Sequence, residues 1–460
     1  MRTPNPISRE RLLQSLRALP RRSTTELART LTVTPQTARR LLAEVPRDLL
    51  LAAGQARRAR YALRRALRGV LDDIPLYAID GSGQAELLAS LALVQPEGTL
   101  LPLERTPWPV PDESRDGWWG GLPYPLYAVR PQGYLGRQLA RAQHRDLGVS
   151  DDPGAWSDDD IIWVLSRRGA DVPGNLLLGN HAYELWLRNK VQDAAPIAGP
   201  LLADAYLRRA QEAVALGGAG SSAAGEFPKF AALRDLEGSA TPHVLVKFSG
   251  AGGSVAEQRW ADLLVCEHRA LEQVSTLPGV SAAHSRILVH GGRVFIEVER
   301  FDRVGRHGRL AVCDLDAIQP TFLGARSTEW PELTRRLQDM DLLDTASVTA
   351  VEHLWWFGRL IANTDMHLGN LSFHVDHTLR LAPTYDMLPM AYAPLAGGEV
   401  PIRDYTPALP LPSQQATWLA ACAIAIDFWN GASRDTRISG PFRVICRANA
   451  ARLRDVAEKL

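Results

Sequence analysis

Lysine is nearly missing from this chain. Among 460 residues only Lys190, Lys229, Lys247 and Lys459 occur, and arginine carries almost all the positive charge. A chain that uses arginine so freely keeps a lysine where a compact, rotatable ammonium is needed, because arginine's planar fork cannot stand in for it. Lys459 sits at the tail and carries no such weight. Cysteine is also scarce. Cys266, Cys313, Cys422 and Cys446 are scattered with no C-x-x-C pairing, which argues against a disulfide framework and for reduced, buried thiols in a cytoplasmic protein. No apolar run approaches the roughly 18 residues of a membrane span. The start, Met1-Arg-Thr-Pro-Asn-Pro6, lacks the apolar core of a signal peptide. No Walker A motif and no G-x-G-x-x-G loop is present. The common nucleotide-binding fingerprints are therefore excluded, and any ATP site must be built differently.

What is present is unevenly distributed. The net charge of +1 hides a basic front: residues 1–70 hold 16 arginines against Glu10, Glu26, Glu44 and Asp48, a balance of +12. The remainder holds 36 basic and 47 acidic residues, a balance of −11. A basic front on an acidic body points to a polyanionic partner for the front.

That front reads as a winged helix-turn-helix over residues 1–70. Leu12, Leu13, Leu16 and Leu19 mark one stripe of a first helix. Ser23-Thr-Thr-Glu26 is a capping box for a second. Thr34-Pro35 opens a third, with Pro35 in its first turn. Gln36, Thr37, Arg39 and Arg40 are expected on the exposed face of this third helix and Ala38, Leu41 and Leu42 on its buried face, the arrangement that lets Gln and Arg read base edges in a major groove. Leu49–Ala53 and Arg57–Tyr61 are expected as two strands of a wing that brings Arg57 and Arg58 to phosphates. A small helical interaction domain is the other reading, and the arginine density argues against it.

Beyond residue 70 the pattern becomes mixed α+β. Gln84–Val94 reads equally as helix or strand. Trp118-Trp119 is expected as packing under a Pro- and Gly-rich loop, and Asp158–Asp160 as the solvated start of a helix capped by Ser157. Gly217–Lys229 is a run of small residues ending in lysine, a backbone able to approach phosphates closely. His243–Phe248 follows as an apolar strand carrying Lys247, the part that pairs nucleotide phosphates in kinases. The helix Trp260–Val274 offers Asp262, Glu267 or Glu272 as a partner for that lysine. A hairpin over Arg286–Glu299 leads to a stretch where main-chain groups at Glu299 to Phe301 would meet adenine. A helix with an expected buried stripe of Leu354, Trp355 and Phe357 then delivers Asn363-Thr-Asp-Met-His-Leu-Gly-Asn370. Asp365 and Asn370 stand in D-x-x-x-x-N spacing, which in protein kinases puts a carboxylate at the acceptor hydroxyl and a carboxamide on magnesium. Asp386 follows as a second metal carboxylate, and a hard cation held by two protein oxygens plus phosphates suits magnesium.

With these motifs in order, the chain resembles the HipA family of serine/threonine kinases, the toxins of bacterial type II toxin–antitoxin systems. The resemblance spans roughly residues 120–450 and rests on Ser222-Ala-Ala-Gly-Glu-Phe-Pro-Lys229, Val246-Lys247, Val298-Glu-Arg-Phe-Asp-Arg303, Asn363–Asn370 and Pro383-Thr-Tyr-Asp386, with Asp171-Val-Pro-Gly-Asn-Leu-Leu-Leu178 in support. The fused front looks like the family's YjjJ-like subgroup. The resemblance implies a two-lobed, protein-kinase-like domain after the front, with a first lobe over 71–300 and a mostly helical catalytic lobe over 301–460. It implies Asp365 as catalytic base supported by His367. ATP would be held by Ser222, Gly225, Lys229, Lys247, Glu299 and Phe301, and magnesium by Asn370 and Asp386. Ser222, or Ser221 beside it, would be an autophosphorylation site. A protein target in translation, such as an aminoacyl-tRNA synthetase, and an antitoxin partner are implied as well. The loop departs from the family's usual Gly-Ala-Gln in reading Gly225-Glu-Phe-Pro, which puts an acid near the phosphates. Two other readings remain open from the residues alone: a transcription regulator whose kinase-like body senses a ligand, and a small-molecule kinase of related fold. Winged helices often pair, which leaves a homodimer open, though no heptad marks one.

Overall fold

The computed structural model describes residues 6–217, 227–324 and 326–460. Its architecture is mixed α+β. Ser221, Ser222 and Gly225 lie outside the described residues, as does the side chain of Arg57.

The front is three helices, Pro6–Ala18, Thr24–Leu31 and Pro35–Ala43, over a small antiparallel sheet in the order Arg22–Ser23, Arg60–Leu63, Leu50–Ala53. Ser23 and Glu26 close the capping box in both directions, satisfying two N–H groups that the helix start leaves open. Thr34 accepts from the Thr37 N–H. Leu12, Leu16, Leu27, Leu41, Leu42, Val45 and Leu63 form the core of this unit. Gln36, Arg39 and Arg40 are exposed and Thr37 is half-buried. The strand expected over Arg57–Tyr61 begins later, at Arg60. Gly54 turns at φ +87°, where an added Cβ would lie 2.7 Å from the Arg58 carbonyl oxygen, and the chain makes one 3-10 turn over Ala56–Arg58. Arg57 and Arg58 are therefore on the turn, and the strand starts at Arg60.

Several front arginines face the body. Arg64 pairs with Asp73, Arg65 donates to Asp159 at 2.8 Å, and Arg68 donates to Asp160 at 2.7 Å. Ser157 does cap the helix Asp158–Arg168. The expectation of a solvated acidic start is nonetheless corrected, because two of its three carboxylates hold guanidiniums. Gln84–Val94 resolves as a strand, Ala85–Leu93. It lies in a five-stranded sheet between Thr99–Leu100 and Ile74–Ile79, with Trp118–Trp119 and Leu176–Leu178 at the edges. Both tryptophans are buried.

A second five-stranded sheet positions the site. Its order is Ser285–His290, Arg293–Glu299, His243–Phe248, Lys229–Asp235, Ile197–Ala198. Side chains alternate between faces along a strand. One face therefore gathers Ala232, Val244, Val246, Phe248 and Phe295 against Tyr206. Lys247, Lys229 opposite it and Ile296 share the other face, against which the helix Val255–Val274 packs. The third part is helical: Thr345–Leu360, Gln415–Arg434 and Gly440–Ala457 bury Leu354, Phe357, Phe428, Trp429, Phe442 and Leu453 together. Trp356, rather than Trp355, completes the buried stripe; Trp355 is half-buried and its ring lies 5.7 Å from that of Trp330. A three-stranded sheet of Val312–Asp314, Ser372–Asp376 and Thr378–Leu381 carries the loop that follows. All four cysteines are free and buried.

Candidate active site

The helix Thr345–Leu360 ends where Ala362 takes φ +59°. Past this bend, the buried Asn363 carboxamide accepts from the Asp365 N–H at 3.0 Å and fixes the loop. His367 caps a single 3-10 turn, Leu368–Asn370, by accepting from the Gly369 N–H at 3.1 Å. Asn370 donates through Nδ2 to the Asp365 carbonyl at 2.7 Å. Tyr385 staples the turn from outside: its hydroxyl donates to the Gly369 carbonyl at 2.6 Å and lies 2.7 Å from Ser372 Oγ. Its ring lies 5.5 Å from that of Phe301.

Next to Tyr385, Asp386 adopts φ +56°. A non-glycine residue held in this region marks a conformation fixed by its surroundings, a frequent feature of functional sites. Lys247 Nζ lies 2.6 Å from Asp386 Oδ1 and 2.7 and 2.9 Å from the two oxygens of Glu267. Burial works against the Lys247 ammonium, but Asp386 and Glu267 outweigh it and its pKa is raised. Burial likewise works against the Asp386 carboxylate, yet Lys247, Lys229 and His367 pull its pKa down. Asp386 is thus ionised and Lys247 charged at neutral pH. The structure also selects among the three helix acids. Asp262 accepts from the N–H and hydroxyl of Ser439 at 2.7 and 2.6 Å and anchors the last helix. Glu272 is near His268 and Arg269 at the surface. Only Glu267 meets Lys247.

Lys229, Lys247, Glu267 and Asp386 therefore form one charged cluster, and the Asp365–Asn370 loop is tied beside it through the Tyr385 bond to Gly369 and the charge of His367 on Asp386. One expected residue turns elsewhere. The Glu299 carboxylate is bound by Arg234 at 2.6 Å on the opposite sheet face, and its N–H bonds the His284 carbonyl. The Arg300 N–H bonds His243. Past this strand, Phe301 is the first residue whose N–H makes no main-chain bond among the described residues. The side chain of Glu299 is structural.

Sequence reasoning also missed what Arg300-Phe-Asp-Arg303 does. Arg300 and Arg303 share Asp171, at 2.9 and 2.7 Å, and Asp302, at 2.9 and 2.6 Å, while Asp302 accepts from the Gly174 N–H. The motif clamps the Asp171–Gly174 segment. Its signal was the R-x-D-R alternation directly after an apolar strand.

The Asp386 carboxylate and the Asn370 carboxamide are the donor types that suit a hard cation completing its shell with phosphate oxygens. Among the described residues no group of three or more His, Cys, Asp and Glu converges as a metal centre of another kind. Asp365, Thr364 and His367 line a cavity of about 650 Å³, together with Arg359, Arg403 and Tyr405. It is large enough to admit an acceptor segment beside the loop.

Comparison with known proteins bears on this geometry. Residues 70–187 match the model of the YjjJ-like toxin, middle domain, and residues 221–439 that of the HipA-like C-terminal domain. Toxin YjjJ of Escherichia coli (strain K12) is 36% identical over 441 residues, covering 95% of this chain and 96% of that protein. Among solved structures, a chain of the Shewanella oneidensis MR-1 toxin–antitoxin complex of HipA, HipB and operator DNA superposes with a TM-score of 0.51 at 15% identity, covering 84% of this chain and 97% of that one. A looser likeness, TM-score 0.35 at 12% identity over 51% of this chain, links it to the Helicobacter pylori proinflammatory kinase CtkA and supports no argument. No helix among the described residues is long and apolar enough to cross a membrane. Matched along nearly its whole length by a toxin of this kind, and sharing the HipA fold, the chain belongs to the HipA family of toxins, on its YjjJ-like branch.

Proposed function

We propose that the protein is an ATP- and magnesium-dependent serine/threonine protein kinase that acts as a HipA-type toxin. The observation that carries the reading is the buried contact of Lys247 with both Glu267 and Asp386, the lysine–glutamate pair and metal carboxylate on which kinase sites depend. In this reading Lys247 and Lys229 hold ATP phosphates, and the Phe301 main chain and ring meet adenine. Asn370 and Asp386 hold magnesium, which supplies positive charge to the phosphate oxygens. Asp365 accepts the proton of a serine or threonine hydroxyl as that oxygen bonds the γ-phosphorus and the bond to the β–γ bridging oxygen breaks, leaving ADP. His367 supports the loop. Ser222 or Ser221 is the self-modification site, where a phosphate adds about −2 charge to a loop meant to cradle phosphates. A translation-related protein, such as an aminoacyl-tRNA synthetase, is the proposed target. A cytoplasmic setting and an antitoxin partner fit this role. The two-lobed division at residue 300 and the winged helix-turn-helix reading of residues 1–70 belong to the same proposal.

The test is labelled phosphate transfer from ATP with magnesium, to the protein itself and to lysate proteins. Wild type is expected to label protein. Lys247→Met is expected to weaken ATP binding about tenfold or more and to lose labelling. Wild type that labels nothing, with Ser221 and Ser222 unmodified by mass spectrometry, ends the reading. Label found only on a small molecule would make the protein a metabolite kinase instead.

DNA binding through the front rests on the exposed face of Gln36, Arg39 and Arg40, with Thr37, Arg57 and Arg58 as further contacts. Arg39→Ala and Arg40→Ala are each expected to cost about 1–3 kcal/mol in binding an operator fragment, if they read base edges, by gel shift at fixed salt. Equal binding by wild type and both variants would remove the third helix from the interface. A transcription regulator with a ligand-sensing body would instead keep its full function in a chain that cannot transfer phosphate.

A further inference from the structure

Away from the candidate active site, at the far end of the strand that begins at Lys229, the structure contains a second cavity of about 400 Å³. It lies between the helix Asn180–Gln192, the strands His243–Phe248 and Lys229–Asp235, and the arginine-rich turn Arg303–Arg309. None of Lys247, Glu267, Asp365, Asn370 or Asp386 lines it.

Its charge is lopsided. Lys190, Arg209, Arg300, Arg303, Arg306 and Arg309 line it, with His243 and His307, against the carboxylates of Asp171 and Asp193. Asp302 stands behind the wall as a third acid. Arg300 and Arg303 are ion-paired with Asp171 and Asp302, and Arg306 with Asp193, although Arg303 Nε has no partner. Arg309 has no carboxylate partner among the described residues. It is 6% exposed, its Nη2 donates to the Ala170 carbonyl at 2.6 Å, and its Nη1 has no partner. Burial and the neighbouring Arg303 push its pKa down to about 9. Among the described residues Arg209 reaches only a main-chain carbonyl, that of Ala231, at 2.7 Å. A buried guanidinium with an open N–H is costly unless an anion comes to it.

We propose that this cavity is a binding site for a small phosphate-bearing anion, held by Arg309 and Arg209 with His307 at the rim. Guanidinium forks suit tetrahedral oxyanions. Ala231 and Leu233, both partly exposed in its lining, give the non-phosphate part of such a ligand an apolar surface. The site is independent of phosphoryl transfer and does not need the proposed kinase activity to exist.

The experiment is calorimetric titration of inorganic pyrophosphate into the full chain in magnesium-free, low-salt buffer. Wild type is expected to bind saturably, with Kd below about 1 mM. Arg309→Gln is expected to weaken binding at least about tenfold, and Arg209→Gln about fivefold. Lys247→Met, which alters the proposed ATP site, is expected to leave the Arg309-dependent binding in place. Arg309 is buried, so its variant is first checked by thermal melting. If it does not fold, Arg209→Gln and His307→Ala decide the matter, since both residues are only partly buried. Absence of saturable binding in wild type overturns the proposal. So does full binding in folded Arg209→Gln and His307→Ala, or binding that disappears with Lys247→Met.

Discussion

Replacing Asp365 with alanine is expected to cut phosphate transfer about 10²–10⁴-fold while leaving ATP affinity nearly unchanged. The geometry separates the two effects. Lys247 contacts Glu267 and Asp386, not Asp365. Two main-chain bonds hold the loop in both forms: Asn363 accepts from the Asp365 N–H and Asn370 donates to its carbonyl. Both bonds use main chain that alanine also has. A side chain whose loss leaves binding intact but removes turnover acts in the transition state. The measurement is single-turnover transfer beside an ATP-binding titration on the same sample. Transfer within about twofold of wild type would show that another group takes the proton. Lys247→Met should fail in the opposite order, with binding lost first.

The second large effect is on stability. Arg234 is 1% exposed and lies between Glu297 and Glu299, at 2.6 Å from each. Arg286 and the Tyr206 hydroxyl add to Glu297 at 2.9 Å each. Arg234→Met keeps the bulk but leaves two buried carboxylates to share what remains. Removing one member of a buried ion network costs about 3–5 kcal/mol, a large part of the stability of an ordinary domain. The check is the shift in urea midpoint at unchanged slope. A shift worth less than about 1 kcal/mol would mean that Arg286 and His284 compensate. Glu299 is then a structural residue in a second sense, since its side chain braces the same strand whose end leads to Phe301.

Much of the candidate site was legible because it is local. D-x-x-x-x-N is a spacing within one loop, a strand lysine is visible by alternation, and the capping boxes at Ser23 and Ser157 are four-residue patterns. What was not legible is what the tertiary fold decides. Asp262, Glu267 and Glu272 lie on one helix, and only the angle at which it crosses the sheet selects Glu267. The same holds for Asp159 and Asp160, whose arginine partners are more than 90 residues away in sequence. Glu299 could have been assigned better. It stands two residues after Glu297, so both acids point to the face opposite Lys247, and a pair of acids on an apolar face calls for a buried cation. Tyr385 gave no signal beyond its place beside Asp386, since stapling depends on a carbonyl sixteen residues earlier.

The seam between front and body has one more consequence. Of the sixteen arginines in the first 70 residues, three face carboxylates beyond residue 70 among the described residues: Arg64, Arg65 and Arg68. A guanidinium neutralised from within displaces no counterions from a duplex. Sixteen available cations would make log affinity fall against log salt with a slope of about −14, and thirteen give about −12. For the proposed DNA interface, raw sequence charge thus overstates how sharply salt would loosen the complex.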